Sequence, residues 1–189
     1  MMRHLELFKS GEKYDDESGQ SHLDHAATNL HFLMWGKDNV WNLPNLKLGL
    51  DIDGVLADCK HRLHHILQGK KDWDTFDSLT HLDKPIYNTI KILWGMTCNP
   101  FIDIILLTGR NERVRDQTMD WMENNDVPYD QLIMRGRNDR RPAYQVKADL
   151  LVKHNIQPEE VLTIFEDEPK TIVHLRKVGF HVSDVGGWE

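Results

Sequence analysis

The stretch LGLDIDGVLAD, residues 48–58, passes from apolar residues to two aspartates, Asp51 and Asp53, one residue apart and directly before a glycine. The apolar start is typical of a short buried strand, and the glycine indicates a turn after it. The stretch therefore predicts a strand that ends in two acids. A solvated strand end followed by a tight turn is the simplest alternative, because short acidic turns are common.

Short apolar runs alternate with helical patterns after residue 46. The predicted strands are LKLGLDI (46–52), IDIILLTG (102–109), DQLIM (130–134), VLTIFED (161–167) and FHVSDV (180–185). The predicted helices are RVRDQTMDWMENND (113–126), AYQVKADLLVKHN (143–155) and PKTIVHLRKVG (169–179). This order predicts an α/β fold, a doubly wound parallel sheet with helices on both faces. Ligands of such sheets lie beyond the carboxyl ends of the strands.

The composition limits the classes of function. A chain of 189 residues can bury one core and a small accessory element. Its net charge of -7 argues against nonspecific binding to nucleic acid or membranes. Two cysteines and a start without an apolar core favour a reducing cytoplasm over secretion. No apolar run reaches the roughly 20 residues that span a bilayer, so we expect no membrane contact.

The first 45 residues form a separate pattern. MRHLELFKSG (2–11) and HLDHAATNLHFLMW (22–35) carry apolar residues at helical spacing around a polar, turn-rich segment. The helical pattern breaks at residues 35–47, and the interrupting residues there are Gly36, Asn39, Asn42, Pro44 and Asn45. The sequence predicts an N-terminal helical hairpin with its linker at 1–45 and an α/β domain at 46–189.

Functional side chains lie at the ends of three predicted strands. The second strand ends in Thr108, Gly109 and Arg110, and the fourth ends in Glu166 and Asp167. Gathered carboxylates repel one another, and the arrangement persists if they hold a hard cation such as Mg²⁺, which then holds a phosphate. The sequence therefore predicts a phosphate-handling site at this edge of the sheet.

The chemistry gives each residue type a role. A carboxylate such as Asp51 can attack phosphorus and form an aspartyl-phosphate, and Asp53 can protonate the leaving oxygen and later activate water. Thr108 can donate to the phosphoryl oxygens, while Lys147 balances the charge. Lys153 is an alternative to Lys147, but six positions separate them, so they point to different faces of one helix.

In order, the four motifs DIDGV, LLTGR, the Lys147 helix and FEDEP resemble those of the haloacid dehalogenase (HAD) superfamily over residues 46–185. The resemblance implies a HAD-like Rossmannoid fold and a phosphatase. It implies that Mg²⁺ is held by Asp51, Asp53 and Asp167, with Glu166 in support. About fifty residues between the first two motifs predict a small helical cap over an open crevice.

A narrower resemblance links LLTGRNERVRDQTMDWMENNDVPYDQLIMRGRNDRRPAYQVKADLL and FEDEPKTIVHLRKVGFHV to the phosphatase domain of phage polynucleotide kinase. It implies removal of phosphate from nucleic-acid ends or from nucleotides. The last motif departs from that family, because Glu166, Asp167 and Glu168 stand where two aspartates and a basic residue are common. A deoxynucleoside monophosphatase (5'- or 3'-nucleotidase) and a non-catalytic HAD-like partner subunit are the alternatives.

Arginines are concentrated in MRGRNDRRP, residues 134–142. Arg135, Arg140 and Arg141 are candidates for a phosphate clamp together with Gly109 and Arg110, because arginine forks suit phosphate. The alternative is a solvated loop whose charges pair with Asp139.

The hairpin sequence RHLELFKSGEKYDDESGQSHLDHAATNLHFL resembles the last portion of phage dATP/dGTP diphosphohydrolase domains, which are related to MazG-type nucleotide hydrolases. His22, Asp24 and His25 are candidates for a metal site. A structural role, in docking or in a homo-oligomer, is the favoured interpretation, because two helices alone cannot bury an active site.

Overall fold

A computed structural model describes residues 2–39, 45–67 and 69–186 of the chain. The chain divides into two compact units, Met1–Pro44 and Asn45–Glu189. The division lies one residue from the domain boundary that the sequence predicts.

The N-terminal unit is a helical hairpin. Helix α1 (Met2–Lys9) and helix α2 (His22–Asn39) pack against each other, and a bridge between Tyr14 and Ser21 closes the loop between them. The predicted end of the second helix near residue 35 is wrong, because α2 continues through Gly36 to Asn39. One glycine costs a helix only about 1 kcal/mol and does not have to end it. The predicted helix breakers Asn42 and Pro44 lie outside the described residues.

The second unit contains a five-stranded parallel sheet. Its strands and those of a small ribbon are β1 (Leu46–Leu50), β2 (Ala57–Asp58), β3 (Lys84–Pro85), β4 (Ile102–Asn111), β5 (Gln131–Arg135), β6 (Val161–Glu166) and β7 (Val182–Asp184). The sheet order is β5-β4-β1-β6-β7, and β2 pairs with β3 in an antiparallel ribbon. All five predicted strands are confirmed. Because β1 is central and β4 and β6 flank it, the three motif-bearing strands are neighbours.

Helices cover both faces of this sheet. The helices of the second unit are α3 (His64–Leu67), α4 (Trp73–Ser78), α5 (Tyr87–Met96), α6 (Arg115–Asn124), α7 (Ala143–Lys153) and α8 (Pro169–Lys177). One buried cluster joins Leu50 and Leu106 to α5 and α6, and another joins Ile105 and Ile164 to α7 and α8. Alternate residues of one strand thus enter opposite cores. No helix in the described ranges is long and apolar enough to cross a bilayer.

The segment between β1 and β4 forms the small helical cap that its length predicts. It contains two short helices, α3 and α4, followed by a 3₁₀ turn at Thr80–Leu82, strand β3 and α5. Asp72 caps α4 by accepting a hydrogen bond from the Thr75 backbone N–H at 3.0 Å. This hydrogen bond stabilises the first turn of α4, although α3 and α4 have only one or two turns each.

We predict that Leu106→Ala destabilises the protein by about 2–5 kcal/mol, because Leu106 is completely buried in the central part of the sheet and a cavity would remain. Chemical denaturation measures the change. Leu162→Ala on β6 is the matched control, since Leu162 is 41 % exposed. Equal losses for the two variants would contradict the assigned core.

Candidate active site

Asp51 lies directly after the central strand β1 and is buried. Its Oδ1 accepts a hydrogen bond from the Ile52 backbone N–H at 2.7 Å. Its Oδ2 lies 2.7 Å from Nζ of Lys147. Both carboxylate oxygens of Asp51 are therefore fixed by a polar contact.

Lys147 joins two of the motifs. It lies on α7, is 2 % exposed, and its Nζ also donates to Oε2 of Glu166 at 2.6 Å. Burial alone would lower the pKa of Lys147, but Asp51 and Glu166 raise it above its ordinary value. Lys153, at the end of the same helix, is exposed. The structure thus brings Lys147, and not Lys153, to the acids.

Three buried acids meet at this point: Asp51, Glu166 and Asp167 each offer an oxygen, and these oxygens lie within 4.8 Å of one another. Burial is the main reason that the pKa of Asp51 is raised, and Glu166 and Asp167 add to it against the opposing charge of Lys147. Burial and Glu166 raise the pKa of Asp167 to about 7. When all three carboxylates are ionised, the single lysine leaves two negative charges uncompensated, and the raised pKa values of Asp51 and Asp167 reflect this repulsion. The all-oxygen donor set fits a hard divalent cation.

Gly54 allows Asp167 to reach the group. Its φ of +81° lies in the left-handed region, and a Cβ at this position would overlap Oδ2 of Asp167. The glycine after the two aspartates is therefore required both by the turn and by the acid of another strand.

Asp53 belongs to a second charged group, not to the three-acid group. Its Oδ1 accepts from Nη2 of Arg62 at 2.7 Å and from Nε and Nη2 of Arg110 at 2.9 and 2.6 Å. The carboxylate of Asp83 binds the same arginines, with Oδ2 2.7 Å from Arg62 Nη2 and 2.6 Å from Arg110 Nη2. Two acids and two arginines thus form a charge-balanced network.

This network sets the protonation state of Asp53. Burial would raise the pKa of Asp53, but the charges of Arg110 and Arg62 outweigh it and hold the pKa below its ordinary value. All the hydrogen bonds to this carboxylate from described residues go to Oδ1. Oδ2 therefore accepts no hydrogen bond from the described residues.

Arg62 and Asp83 are absent from the sequence-based site. Both are buried, and the Arg62 guanidinium lies 4.0 Å from the centre of the Phe76 ring. Arg62 stands in a histidine-rich run and Asp83 in the segment HLDKP, where a solvated loop is the ordinary expectation. No local sequence pattern distinguishes Arg62 and Asp83 from ordinary surface charges, because they meet Asp53 and Arg110 only when the cap folds.

Thr108, Gly109 and Arg110 lie within β4, which is longer than predicted and ends at Asn111. Thr108 is buried, and its Oγ1 accepts from the Arg110 backbone N–H at 3.1 Å. Arg110 points inward to the acids of the charge-balanced network. Its Nη1 has no hydrogen-bond partner among the described residues. The three residues therefore lie at the end of the strand, where the sequence places them.

The arginine loop is held mainly by its own contacts. Arg135 donates from Nε to the Gly109 carbonyl oxygen at 2.8 Å and from Nη1 to the Arg141 carbonyl oxygen at 2.6 Å. The Arg141 guanidinium pairs with Asp139 at 2.7 Å and with Asp149 at 2.5 Å. The Arg141 guanidinium is therefore engaged by the loop and by α7, and both Arg140 and Arg141 are exposed.

The sequence profile of the family described as the polynucleotide kinase PNKP phosphatase domain, a HAD family, matches residues 48–187. The chain belongs to this family. This phosphatase domain is an enzyme of the HAD hydrolase class, as the four motifs predict. A second profile, the N-terminal domain of dATP/dGTP diphosphohydrolase, matches residues 1–42. The two predicted resemblances are thus confirmed.

Solved structures show the same fold. A chain of the Pnkp1/Rnl/Hen1 RNA repair complex has a TM-score of 0.61 at 24% identity, covering 77% of this chain and 43% of that one. A haloacid dehalogenase-like hydrolase from Streptococcus pneumoniae gives 0.50 at 14% identity, with 73% and 83% covered. A predicted phosphatase from Clostridium acetobutylicum gives 0.55 at 10% identity, with 77% and 88% covered.

The chain spans less than half the length of the RNA repair chain. A search of curated protein sequences found no significant match.

We predict that Asp83→Asn destabilises the phosphatase domain by about 3–5 kcal/mol, because two buried arginines would lose a shared counter-charge. Thermal and chemical denaturation measure the loss. Asp74→Asn is the control, since the ion pair of Asp74 with Arg113 is exposed and contributes little. A loss for Asp83→Asn no larger than that of the control would show that the network does not stabilise the fold.

Proposed function

We propose that this chain is a Mg²⁺-dependent phosphohydrolase that removes phosphate from nucleic-acid ends or nucleotides through an aspartyl-phosphate intermediate. The observation that carries the proposal is the convergence of Asp51, Lys147, Glu166 and Asp167 at the carboxyl end of the central strand. Burying three carboxylates with one lysine destabilises a fold unless a bound cation compensates the excess negative charge. Membership of a phosphatase family supports the same reaction.

In the proposed first step, a carboxylate oxygen of Asp51 attacks phosphorus and the ester P–O bond breaks. The contacts of Asp51 hold its side chain in one orientation before substrate arrives, which lowers the entropic cost of attack. Lys147 balances negative charge on Asp51 and on the phosphoryl group. Thr108 donates its hydroxyl hydrogen to a phosphoryl oxygen.

Asp53 exchanges protons in both steps. Its Oδ2 protonates the leaving oxygen, and in the second step it takes a proton from the water that attacks phosphorus. The bond between phosphorus and Asp51 then breaks and releases inorganic phosphate. Arg62 and Arg110 keep Asp53 ionised in the free enzyme, which suits the base step. An arriving anionic phosphate favours the protonated form, so Asp53 takes up a proton from solvent before the acid step and holds a proton again after the base step.

The three-acid group is where the metal would be held. Asp51 and Asp167 would supply carboxylate oxygens, and the Asp53 backbone carbonyl is a further proposed ligand. Glu166 would support the site by holding Lys147 through a hydrogen bond. Mg²⁺ supplies Lewis-acid neutralisation of phosphoryl charge when it is bound. Its two charges would offset the two that the lysine leaves uncompensated.

A phosphorylated nucleic-acid end is the favoured substrate. The short cap leaves the crevice open, and exposed Arg137 and Arg140 follow β5 at the same edge of the sheet as the acids. Guanidinium groups there suit the phosphates of a longer chain. The RNA repair complex and the family description point to the same substrate class.

A homo-oligomer through the N-terminal hairpin stays a prediction.

We predict that Asp51→Asn lowers kcat by about 10³-fold or more while the protein stays folded, because an amide of the same volume cannot attack phosphorus. Phosphate release in Mg²⁺ and circular dichroism measure the two properties. Asp149→Asn is the control, because it makes the same change at an exposed position of α7. Near-wild-type turnover by folded Asp51→Asn would remove Asp51 as the nucleophile.

We predict that a phosphorylated oligonucleotide has a lower KM than the matching mononucleotide at low salt, and that added salt removes the difference because the additional contacts are ionic. The double variant Arg137→Ala, Arg140→Ala should reduce the difference and leave kcat on the mononucleotide nearly unchanged. Lys177→Ala is the control, since Lys177 ends α8 at the opposite edge of the sheet. A mononucleotide that is equal or better at low salt would favour the nucleotidase alternative.

A further inference from the structure

Trp73 is a large aromatic side chain that the small cap leaves in contact with solvent. It begins α4 and is 49 % exposed. Exposure alone does not indicate a site, because single apolar residues are common on protein surfaces. The neighbours of Trp73 give its exposure a meaning, since they connect it to the acids and surround it with positive charge.

A short series of contacts leads from Trp73 to the charge-balanced network. The rings of Trp73 and Phe76 meet edge to face, with centroids 5.8 Å apart and an angle of 85° between their planes. Such a pair covers at most one face of the indole. Phe76 lies 4.0 Å from the Arg62 guanidinium, which donates to Oδ1 of Asp53 at 2.7 Å. Trp73 is therefore the outer member of a series that begins at the catalytic acids.

The face of α4 that carries Trp73 is directed into the crevice. Asp77 lies on the same face, because residues four apart on a helix are neighbours. Burial raises the pKa of Asp77, and the charge of Arg113 opposes this rise. Arg62 and Arg135 have the same opposing effect. Since Arg113 follows β4 and Arg135 ends β5, this face of α4 lies over the carboxyl edge of the sheet.

Polar contacts join the start of α4 to the arginine loop. Nη1 of Arg113 lies 3.0 Å from Oδ1 of Asp74, the residue after Trp73. Nε of Arg113 donates to Oδ1 of Asn111 at 3.2 Å. The Asn111 amide donates in turn to the Arg137 carbonyl oxygen at 3.2 Å. Trp73 and the exposed Arg137 therefore lie at the same opening of the crevice.

The cap segment that leads to Trp73 is basic in an otherwise acidic protein. Residues 59–71 contain four Lys or Arg and three His but no acidic residue, whereas the chain has a net charge of -7. Lys70 and Lys71 are exposed, and Nζ of Lys71 lies 5.6 Å from the centre of the Trp73 ring. Because Lys71 is exposed, it can turn from the ring to a phosphate when a base arrives. An aromatic ring beside exposed cations is typical of surfaces that bind single-stranded nucleic acid.

We propose that Trp73 is a stacking surface for a base of the substrate strand, with Lys70 and Lys71 beside the phosphates of that strand. This inference rests on the proposed function, since it names where the strand runs after it leaves the acids. The arginine loop binds phosphates, whereas Trp73 binds a base. Every base has a π face, so the contact requires no particular sequence, but the base must be unpaired to reach the ring.

The stacked base and the phosphate contacts depend on each other. One base on an exposed ring is held weakly unless the ionic contacts of its strand keep it there, so added salt weakens both together. The kinetic test is therefore made at low salt.

The kinetic test combines one change in the protein with one change in the substrate. Wild-type enzyme and Trp73→Ala are compared on phosphorylated single strands that carry either normal bases or abasic sites in the positions next to the phosphate. We expect Trp73→Ala to raise KM for the normal strand about fivefold or more, with the effect on KM rather than on kcat. On the abasic strand the same variant should have almost no effect, because the base that stacks is already absent. Trp73→Phe should restore most of the binding.

Trp94→Ala is the matched control. Trp94 is 52 % exposed, but its indole N–H donates to the Asp126 carbonyl oxygen at 2.8 Å, beyond the end of α6 that is far from the acids. This control should keep the wild-type KM on both strands. The inference is overturned if Trp73→Ala, shown to be folded by circular dichroism, has the wild-type KM on the normal strand. It is equally overturned if the rise in KM is as large on the abasic strand.

A binding measurement separates this inference from the proposed reaction. Single strands that end in an uncleavable methylenephosphonate and carry 5-iodouracil in one of the positions next to it are irradiated with the full chain in Mg²⁺, and the cross-linked peptide is mapped by mass spectrometry. We expect a cross-link at Trp73. A chain that forms this cross-link but releases no phosphate from any strand would overturn the reaction and keep the stacking site. Phosphate release with no cross-link at Trp73 would overturn the stacking site and keep the reaction.

Discussion

The site depends on one electrostatic constraint, the burial of three carboxylates around a single ammonium group at the end of the central strand. Asp51 follows β1, and Glu166 and Asp167 lie at the end of β6, so these acids meet because β1 and β6 are neighbours in the sheet. Lys147 reaches them because α7 packs on the same face as α8. The excess negative charge is unfavourable for the protein alone, and a divalent cation with a phosphate would relieve it.

A second charged group is balanced within itself and has a different task. Arg62 and Arg110 face Asp53 and Asp83, so two positive and two negative charges are buried together. The cap supplies Arg62 and Asp83, whereas the sheet supplies Arg110. Folding of the small cap is thereby connected with the orientation of Asp53. The protein thus separates an acid-rich group from a charge-balanced group, although Asp51 and Asp53 are two residues apart.

Much of the fold could be predicted because its signals are local. The five strands are short apolar runs, and each predicted helix after residue 46 has its own periodicity. Asp51 and Lys147 can be identified from the sequence because each lies in a motif. Arg62 and Asp83 cannot, because their importance arises from contacts across the cap, which no spacing in the sequence encodes. Arg141 differs from these two residues, because its charge makes it a candidate for phosphate binding in the sequence. In the structure its guanidinium pairs with Asp139 and Asp149.

The most direct test of the account is to locate the covalent intermediate. The wild-type enzyme would be mixed with a phosphorylated oligonucleotide in Mg²⁺, quenched in acid within milliseconds, treated with borohydride and mapped by mass spectrometry. The account predicts that the reduced residue derived from an aspartyl-phosphate appears at position 51 alone and is absent without Mg²⁺. Modification at Asp53 instead, or steady turnover in which sensitive detection finds no phosphorylated aspartate at position 51, would contradict it.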